Sequence, residues 1–314
     1  MKPTLPSYID SSTVELWRSC HRKLYFSSTL ALTTTARSIH LVAGGAFAAG
    51  LEAARRLAYS GAGDHRPTHD DLLQAAYPAF ARTWGDFSIE EDHPKSFSNT
   101  FQAVAAYLQH YPPLSDPVQP IIRPDGSPAV EFTFSIPLEP EEGFKVHPET
   151  GDPILFVGRF DLLGKMNGLP VVLDEKTTQS LGATWVNQWR LRSQFMAYCW
   201  ACQRLGYPVH TAVASGIALL KTEYKFERAY EMFPSYIIDR WYTQMRRDVN
   251  QIIDAYTALK KGGNIDDLYD FNFSNSCTSY GGCAYQILCL SKNPEDFYNN
   301  FVKNTWNPLA KEAA

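Results

Sequence analysis

The amino-acid sequence predicts an α/β protein in which a central mixed sheet is flanked by helices. Three observations carry this expectation. The first third holds amphipathic segments rich in Ala and Leu. The middle holds the short β-rich segments EFTFSIPL, ILFVGRFDLLGKM and PVVLDEK, separated by turn residues such as Gly151, Asp152, Asn167 and Gly168. A helix, a strand and a long helix follow.

Taken in order, Ser11 to Phe26 reads as one capped helix, with Ser12 or Thr13 at its N-cap and Val14, Leu16, Trp17, Leu24 and Tyr25 on its apolar face. A second helix is expected from about Ile39 to Tyr59, ending before Gly61 and Gly63. Two more are expected near Asp70 to Trp84 and Phe97 to Tyr111. Residues 61–128 then read as a helical insertion followed by a proline-rich connector with a PDG turn. After the three strands, the last two a hairpin, a helix is predicted from about Trp185 to Leu205. HTAVASGIALLKTE gives a fourth strand, and Ser235 to Lys261 a long helix ending at Gly262 and Gly263.

At 314 residues, with 45% hydrophobic and 20% charged residues, the chain can bury a core of its own and is read as a single domain, 1–314. A formal net charge of -4 excludes a generally basic nucleic-acid coat, so contact with DNA has to come from a local basic patch or from metal ions. The N-terminal segment lacks the apolar core of a signal peptide, and no stretch approaches membrane-spanning length. The expected location is therefore cytoplasmic, with no membrane partner. In a reducing compartment the six cysteines read as metal ligands or core residues rather than as a disulfide framework.

The chemistry starts in VVLDEK. Residues two apart on a strand share a face, so Asp174 and Lys176 project together and the Glu175 side chain turns away, which makes Glu175→Ala a silent control for the pair. Asp161, in GRFD on the preceding strand, comes across from Asp174 if the turn at Asn167 and Gly168 sets that register. Two carboxylates and a lysine suit Mg²⁺ or Mn²⁺, which polarise phosphate and lower the pKa of a bound water.

GRFD, then DEK after an apolar strand, then a helix carrying QFMAY, resembles the PD-(D/E)XK nuclease superfamily, in particular its RecB-like branch. The resemblance implies a restriction-endonuclease-like core and hydrolysis of DNA phosphodiester bonds. Asp161 and Asp174 would be metal ligands, joined by the Glu175 backbone carbonyl and by Glu131 as the extra upstream acid. Lys176 would be catalytic, with Gln194 beside it and Tyr198 one turn on. It also implies cutting from an end, in recombination, repair or replication, with a recombination or replication protein as possible partner and a phage origin in view, which would place the protein in the host cytoplasm. One departure stands out. Where many RecB-like enzymes carry a metal-binding His in G-x-x-F-H, GGAFAAGLEAA puts Ala48, and His40 two turns earlier reads as a helix-start or packing residue. A nuclease-inactive module that keeps the fold to grip DNA is therefore the alternative.

Cys277, Cys283 and Cys289 recur at equal spacing, with Gly281 and Gly282 allowing tight backbone turns. With Cys20 as the fourth thiolate, the resemblance implies a 4Fe-4S cluster that ties the two ends of the chain together. A structural Zn²⁺ is the rival, although the trio lacks the close C-x₂₋₄-C pair of zinc knuckles. Cys199 and Cys202 read as buried helix residues, because a redox CxxC sits at a helix N-terminus. For substrate contact, Trp185 and Trp189 as stacking faces, with Arg190, Arg192, Lys221, Lys225 and Arg228 as cations, are the candidates for a nucleic-acid groove.

Overall fold

In the computed structural model, residues 2–61, 66–273, 275–278 and 282–304 are described; Gly63 and Gly281 lie outside them. In chain order the elements are β1 (Tyr8–Ile9), α1 (Ser11–Ser19), α2 (His21–Leu24), β2 (Leu32–Thr34), α3 (Ile39–Ala58), α4 (His69–Trp84), α5 (Phe97–His110), β3 (Gln119–Pro120), β4 (Val130–Pro137), β5 (Leu155–Met166), β6 (Leu169–Thr178), α6 (Ala183–Asn187), α7 (Ser193–Arg204), β7 (Thr211–Leu219), β8 (Tyr224–Met232), α8 (Ser235–Lys260), α9 (Ile265–Leu268), α10 (Gln286–Leu290) and β9 (Phe301–Lys303). The main sheet runs β1-β5-β6-β7-β8, with β3 and β4 also paired to β5. It is mixed: β6 and β7 are parallel, whereas β5 with β6 and β7 with β8 are antiparallel. Among the described residues no helix is long and apolar enough to cross a membrane.

The chain divides into two compact units, 1–36 with 133–158 and 239–314, and 37–132 with 159–238. In the second unit, α3, α4 and α5 share a core built on Phe47, Phe80, Trp84 and Tyr107, joined by Ile217 and Leu219 of β7. The α4 and α5 insertion thus supplies a wall of this core. Pro78 lies inside α4, whose start is held by a Thr68 and Asp71 capping box. The β5–β6 turn is a two-residue loop, Asn167 and Gly168, with φ of 51° and 81° between Met166 and Leu169. Both residues lie in the left-handed region, the twist a two-residue hairpin requires, and Asn-Gly is the dipeptide that adopts it most readily.

In the first unit the N-terminal helical segment differs from expectation. Asp10, not Ser12 or Thr13, caps α1, with Oδ1 accepting from the Thr13 N–H at 2.7 Å. The helix also stops at Cys20, whose backbone is extended and whose Sγ accepts from the Lys23 N–H at 3.4 Å. Trp17 stacks on His21 at 3.7 Å, and its indole donates to Gln251 at 3.2 Å. Arg18 pairs with Asp248 at 2.6 Å. Aromatic contacts among Tyr25, Phe26, Tyr269, Tyr285 and Phe301 fill the interior of this unit.

Two further departures bear on the candidate site. The expected helix from Trp185 to Leu205 is broken into α6 and α7, with a turn through Arg190 and Leu191. The segment after the fourth strand is itself a strand, β8, pairing with β7 from Thr211↔Met232 to Leu219↔Tyr224.

Candidate active site and cysteine cluster

The two-residue turn sets Leu162 opposite Leu173, so the next step along the β5–β6 ladder brings Asp161 and Asp174 to the same place on one face. There the two strands are joined by a side chain, because the Glu175 N–H donates to Asp161 Oδ2 at 2.7 Å. Asp174 is 2% exposed and takes Lys176 Nζ on Oδ2 at 2.5 Å. Gln194, in the first turn of α7, donates from Nε2 to Asp174 Oδ1 at 3.3 Å and to the Tyr198 hydroxyl at 2.9 Å. Gln194 and Tyr198 therefore act as a pair across one helical turn, and the Tyr198 ring packs edge-on against Phe160.

The electrostatics follow from crowding. Burial, and then the charges of Asp174, Glu175 and Glu131, hold the Asp161 carboxyl well above the usual carboxylate range. Burial also raises Asp174, against the pull of Lys176. For Lys176, burial disfavours the charge, but Asp174 and Asp161 outweigh it and leave the ammonium more firmly protonated than usual. Two buried, crowded carboxyls held above the usual range keep their protons more tightly than free ones, and any cation that came to them would compete with those protons.

Glu131 lies in β4 with φ of 49°, a strained conformation for a residue with a side chain, and its carboxylate pairs with Arg159 at 2.5 Å. Arg159 was not among the sequence candidates. Its signal was available, because it lies two residues before Asp161 and so shares its strand face. Glu175 turns to the opposite face as expected, but it does not end in solvent. It forms an ion pair with Arg55 of α3, the two side chains being 3% and 6% exposed, and lies 3.5 Å from the Tyr107 hydroxyl of α5. Tyr107 shares a hydrogen bond with Ser215 at 2.6 Å, and Ser215 accepts from Arg228 at 3.0 Å.

The expected groove residues are divided. Arg190 and Arg192 are exposed at the start of α7, and Arg192 is close enough to offset part of the Asp174 charge. Lys221 pairs with Asp92 at 2.8 Å and Lys225 with Glu223 at 3.1 Å. Arg228 is buried, chelating Asp116 through two 2.6 Å bonds and lying over the Tyr111 ring, so it is not a groove cation. Trp185 and Trp189 are 7% and 6% exposed and pack on each other and on Phe195, which corrects their expected role as stacking faces. Ala48 places no ligating side chain on α3.

In the first unit Cys20, Cys277, Cys283 and Cys289 are half-buried and form no disulfide. Burial, joined by Cys20, Cys283 and Cys277, pushes the Cys289 thiol up to about 11. The Cys283 N–H donates to the Cys277 carbonyl at 2.8 Å, folding the loop back on itself. Among the described residues no group of three or more His, Cys, Asp or Glu side chains closes to metal-ligating geometry. Cys199 and Cys202 are fully buried in α7, and burial pushes the Cys199 thiol up to about 12, the environment of an inert core thiol.

The mixed sheet flanked by helices is a restriction-endonuclease-like fold. A sequence model of the PD-(D/E)XK nuclease superfamily matches residues 11–290, and the chain belongs to that superfamily. No curated protein matches the sequence. A solved structure described as the crystal structure of SSO0001 is similar at 13% identity and a TM-score of 0.25, with 63% of this chain and 73% of that chain covered.

Proposed function

We propose that the protein is a Mg²⁺- or Mn²⁺-dependent DNA nuclease whose site is Asp161, Asp174, Lys176 and Gln194. The observation that carries this is the convergence, on one sheet face, of two ionisation-resistant carboxylates with a lysine that is ion-paired to one of them. Asp161 and Asp174 would hold the ion, with the Glu175 carbonyl and Glu131 as further oxygen donors. When bound, the ion supplies charge neutralisation at phosphate and an acidified water. Lys176 holds its proton and presents a positive charge to the phosphate. Gln194 fixes the rotamer of Asp174, and Tyr198 buttresses Gln194. Arg190 and Arg192 bind the backbone beside the site.

Within this reading the chain is RecB-like and cuts from a DNA end, in recombination, repair or replication, in the cytoplasm of a phage-infected host and beside a recombination or replication protein; the D-E-K and Q-x-x-x-Y resemblance supports it. Cys20, Cys277, Cys283 and Cys289 would hold a 4Fe-4S cluster, a reading that rests on the resemblance and on the electrostatic influence of the other three thiols on Cys289. Purified protein should then be brown and contain iron and sulfide. Zinc without iron would replace the cluster with a structural Zn²⁺ on the same residues. Ala48 favours a second reading, a nuclease-inactive DNA-gripping module. One assay separates the two: end-labelled single- and double-stranded DNA with Mn²⁺, wild type against Asp174→Ala. Degradation by wild type alone supports the nuclease, and binding without degradation supports the module.

A further inference from the structure

A second group of basic side chains meets the carboxyl end of β6, where the proposed mechanism uses none of them. Lys95, in the turn before α5, is 3% exposed. Its Nζ lies 3.4 Å from Oγ1 of Thr177, the residue after Lys176, and among the described residues no carboxylate pairs with it. A buried ammonium with only a hydroxyl for company is unfavourable unless an anion arrives to face it.

The surroundings among the described residues favour an anion. The Lys95 N–H donates to His93 Nδ1 at 3.0 Å, fixing that ring beside it. His40 stands in the first turn of α3, near enough that Lys95 and His93, after burial, hold its imidazole below the ordinary value. Gly44 approaches Thr177 Oγ1 closely, a Cβ built there lying 3.7 Å away, so α3 borders the same spot. The positive ends of α3 and α5, helices of 20 and 14 residues, therefore come to the carboxyl end of the parallel pair β6 and β7. Ligands of open α/β sheets gather at that edge, and helix N-termini favour negative groups there. The neighbouring acid Asp92 is engaged by Lys221.

We propose that Lys95, His93, His40 and Thr177 form an anion site that takes a phosphate of the nucleic-acid strand distinct from the one attacked at Asp161 and Asp174. The proposal rests on the nuclease reading. Lys95 supplies charge, the two imidazoles supply ring N–H donors, and Thr177 supplies a hydroxyl donor on the strand that also carries Lys176. Because Thr177 lies on the face of β6 opposite Lys176, occupation of the site would hold the nucleic-acid strand where it passes the carboxyl edge of the sheet.

The test is fluorescence anisotropy of a fluorescein-labelled oligodeoxynucleotide, single-stranded and duplex, in EDTA over a series of NaCl concentrations. Lys95→Met should weaken binding about tenfold and reduce the salt slope by about one, whereas Lys95→Arg should keep the slope. His40→Glu, at an exposed position, should weaken binding more than His40→Gln, and it decides the matter if circular dichroism shows that Lys95→Met does not fold. Wild-type affinity and slope in both Lys95→Met and His40→Glu would overturn the site. If wild type cuts and Asp174→Ala does not while those variants bind normally, the anion site alone falls. If wild type neither binds nor cuts DNA, the nuclease reading falls with it.

Discussion

Glu175→Ala is the substitution for which strand alternation and the folded structure give opposite expectations. Alternation turns the side chain from Asp174 and Lys176 and makes its loss harmless. The structure instead puts it in a buried pair with Arg55, both side chains at most 6% exposed, with the Tyr107 hydroxyl 3.5 Å away. Removing one partner of a buried ion pair leaves the other charge uncompensated and costs about 3–5 kcal/mol. That is a third or more of the stability of many domains, which lies at roughly 5–15 kcal/mol. At about 2–4 °C per kcal/mol the melting temperature should fall by about 10 °C. Replacing both residues, as Arg55→Met with Glu175→Met, removes both buried charges and should return stability to within about 1 kcal/mol of wild type. Urea denaturation of Arg55→Met, Glu175→Met and the double variant measures the cycle, alongside Glu175→Ala. Below its melting transition Glu175→Ala should still cleave, since only its main chain faces Asp161. A loss under about 1 kcal/mol for Glu175→Ala, or a double variant as unstable as the sum of the singles, would show that the pair is solvated and the reasoning wrong.

Asp174→Ala and Lys176→Ala should each abolish cleavage with the fold retained, but titration with Mn²⁺ should show weakened ion binding only for Asp174→Ala. Because burial raises Asp161 and Asp174 above the usual carboxylate range, ion affinity should decline on acidification at a higher pH than for free carboxylates, measured by calorimetry across pH. The same shift has a sign for stability: a folded pKa above the unfolded value contributes stability at low pH that is lost as pH rises through the folded pKa. In EDTA, Asp161→Asn should therefore gain on wild type by about 1 kcal/mol as pH rises towards neutrality, while being inactive; melts that stay parallel at every pH would contradict it. Cys20→Ala should lower the melting temperature more than Cys199→Ala, because one loses a cluster ligand and the other leaves a small cavity.

Much of the candidate site was legible because its determinants are local. The Asn-Gly turn sets the hairpin register, and register puts Asp161 beside Asp174. The Gln194 and Tyr198 pair needs only one turn of helix. What escaped depends on packing. Strand β8 reads YKFERAYEM, in which the charges of an edge strand interrupt the apolar residues, so its β pattern is weak and the sequence predicts no element there. The break between α6 and α7 carries no Gly or Pro; Trp185 and Trp189 turn inward there for tertiary reasons. The same holds at Cys20, where a thiol caps the next turn. Arg55 and Lys95 were invisible as partners of β6 because 120 and 82 residues separate them from Glu175 and Thr177.

The bond from the Glu175 amide to Asp161 makes the hairpin a fork fastened by a removable pin. Past Leu162 and Leu173 the strands are clasped there by a carboxylate that the proposed ion also seeks, so loading the site and fastening the strands draw on one group. The Glu175 amide proton is consequently a built-in gauge of occupancy: its exchange with solvent should change when Asp161 turns to an ion, long before any substrate is cut.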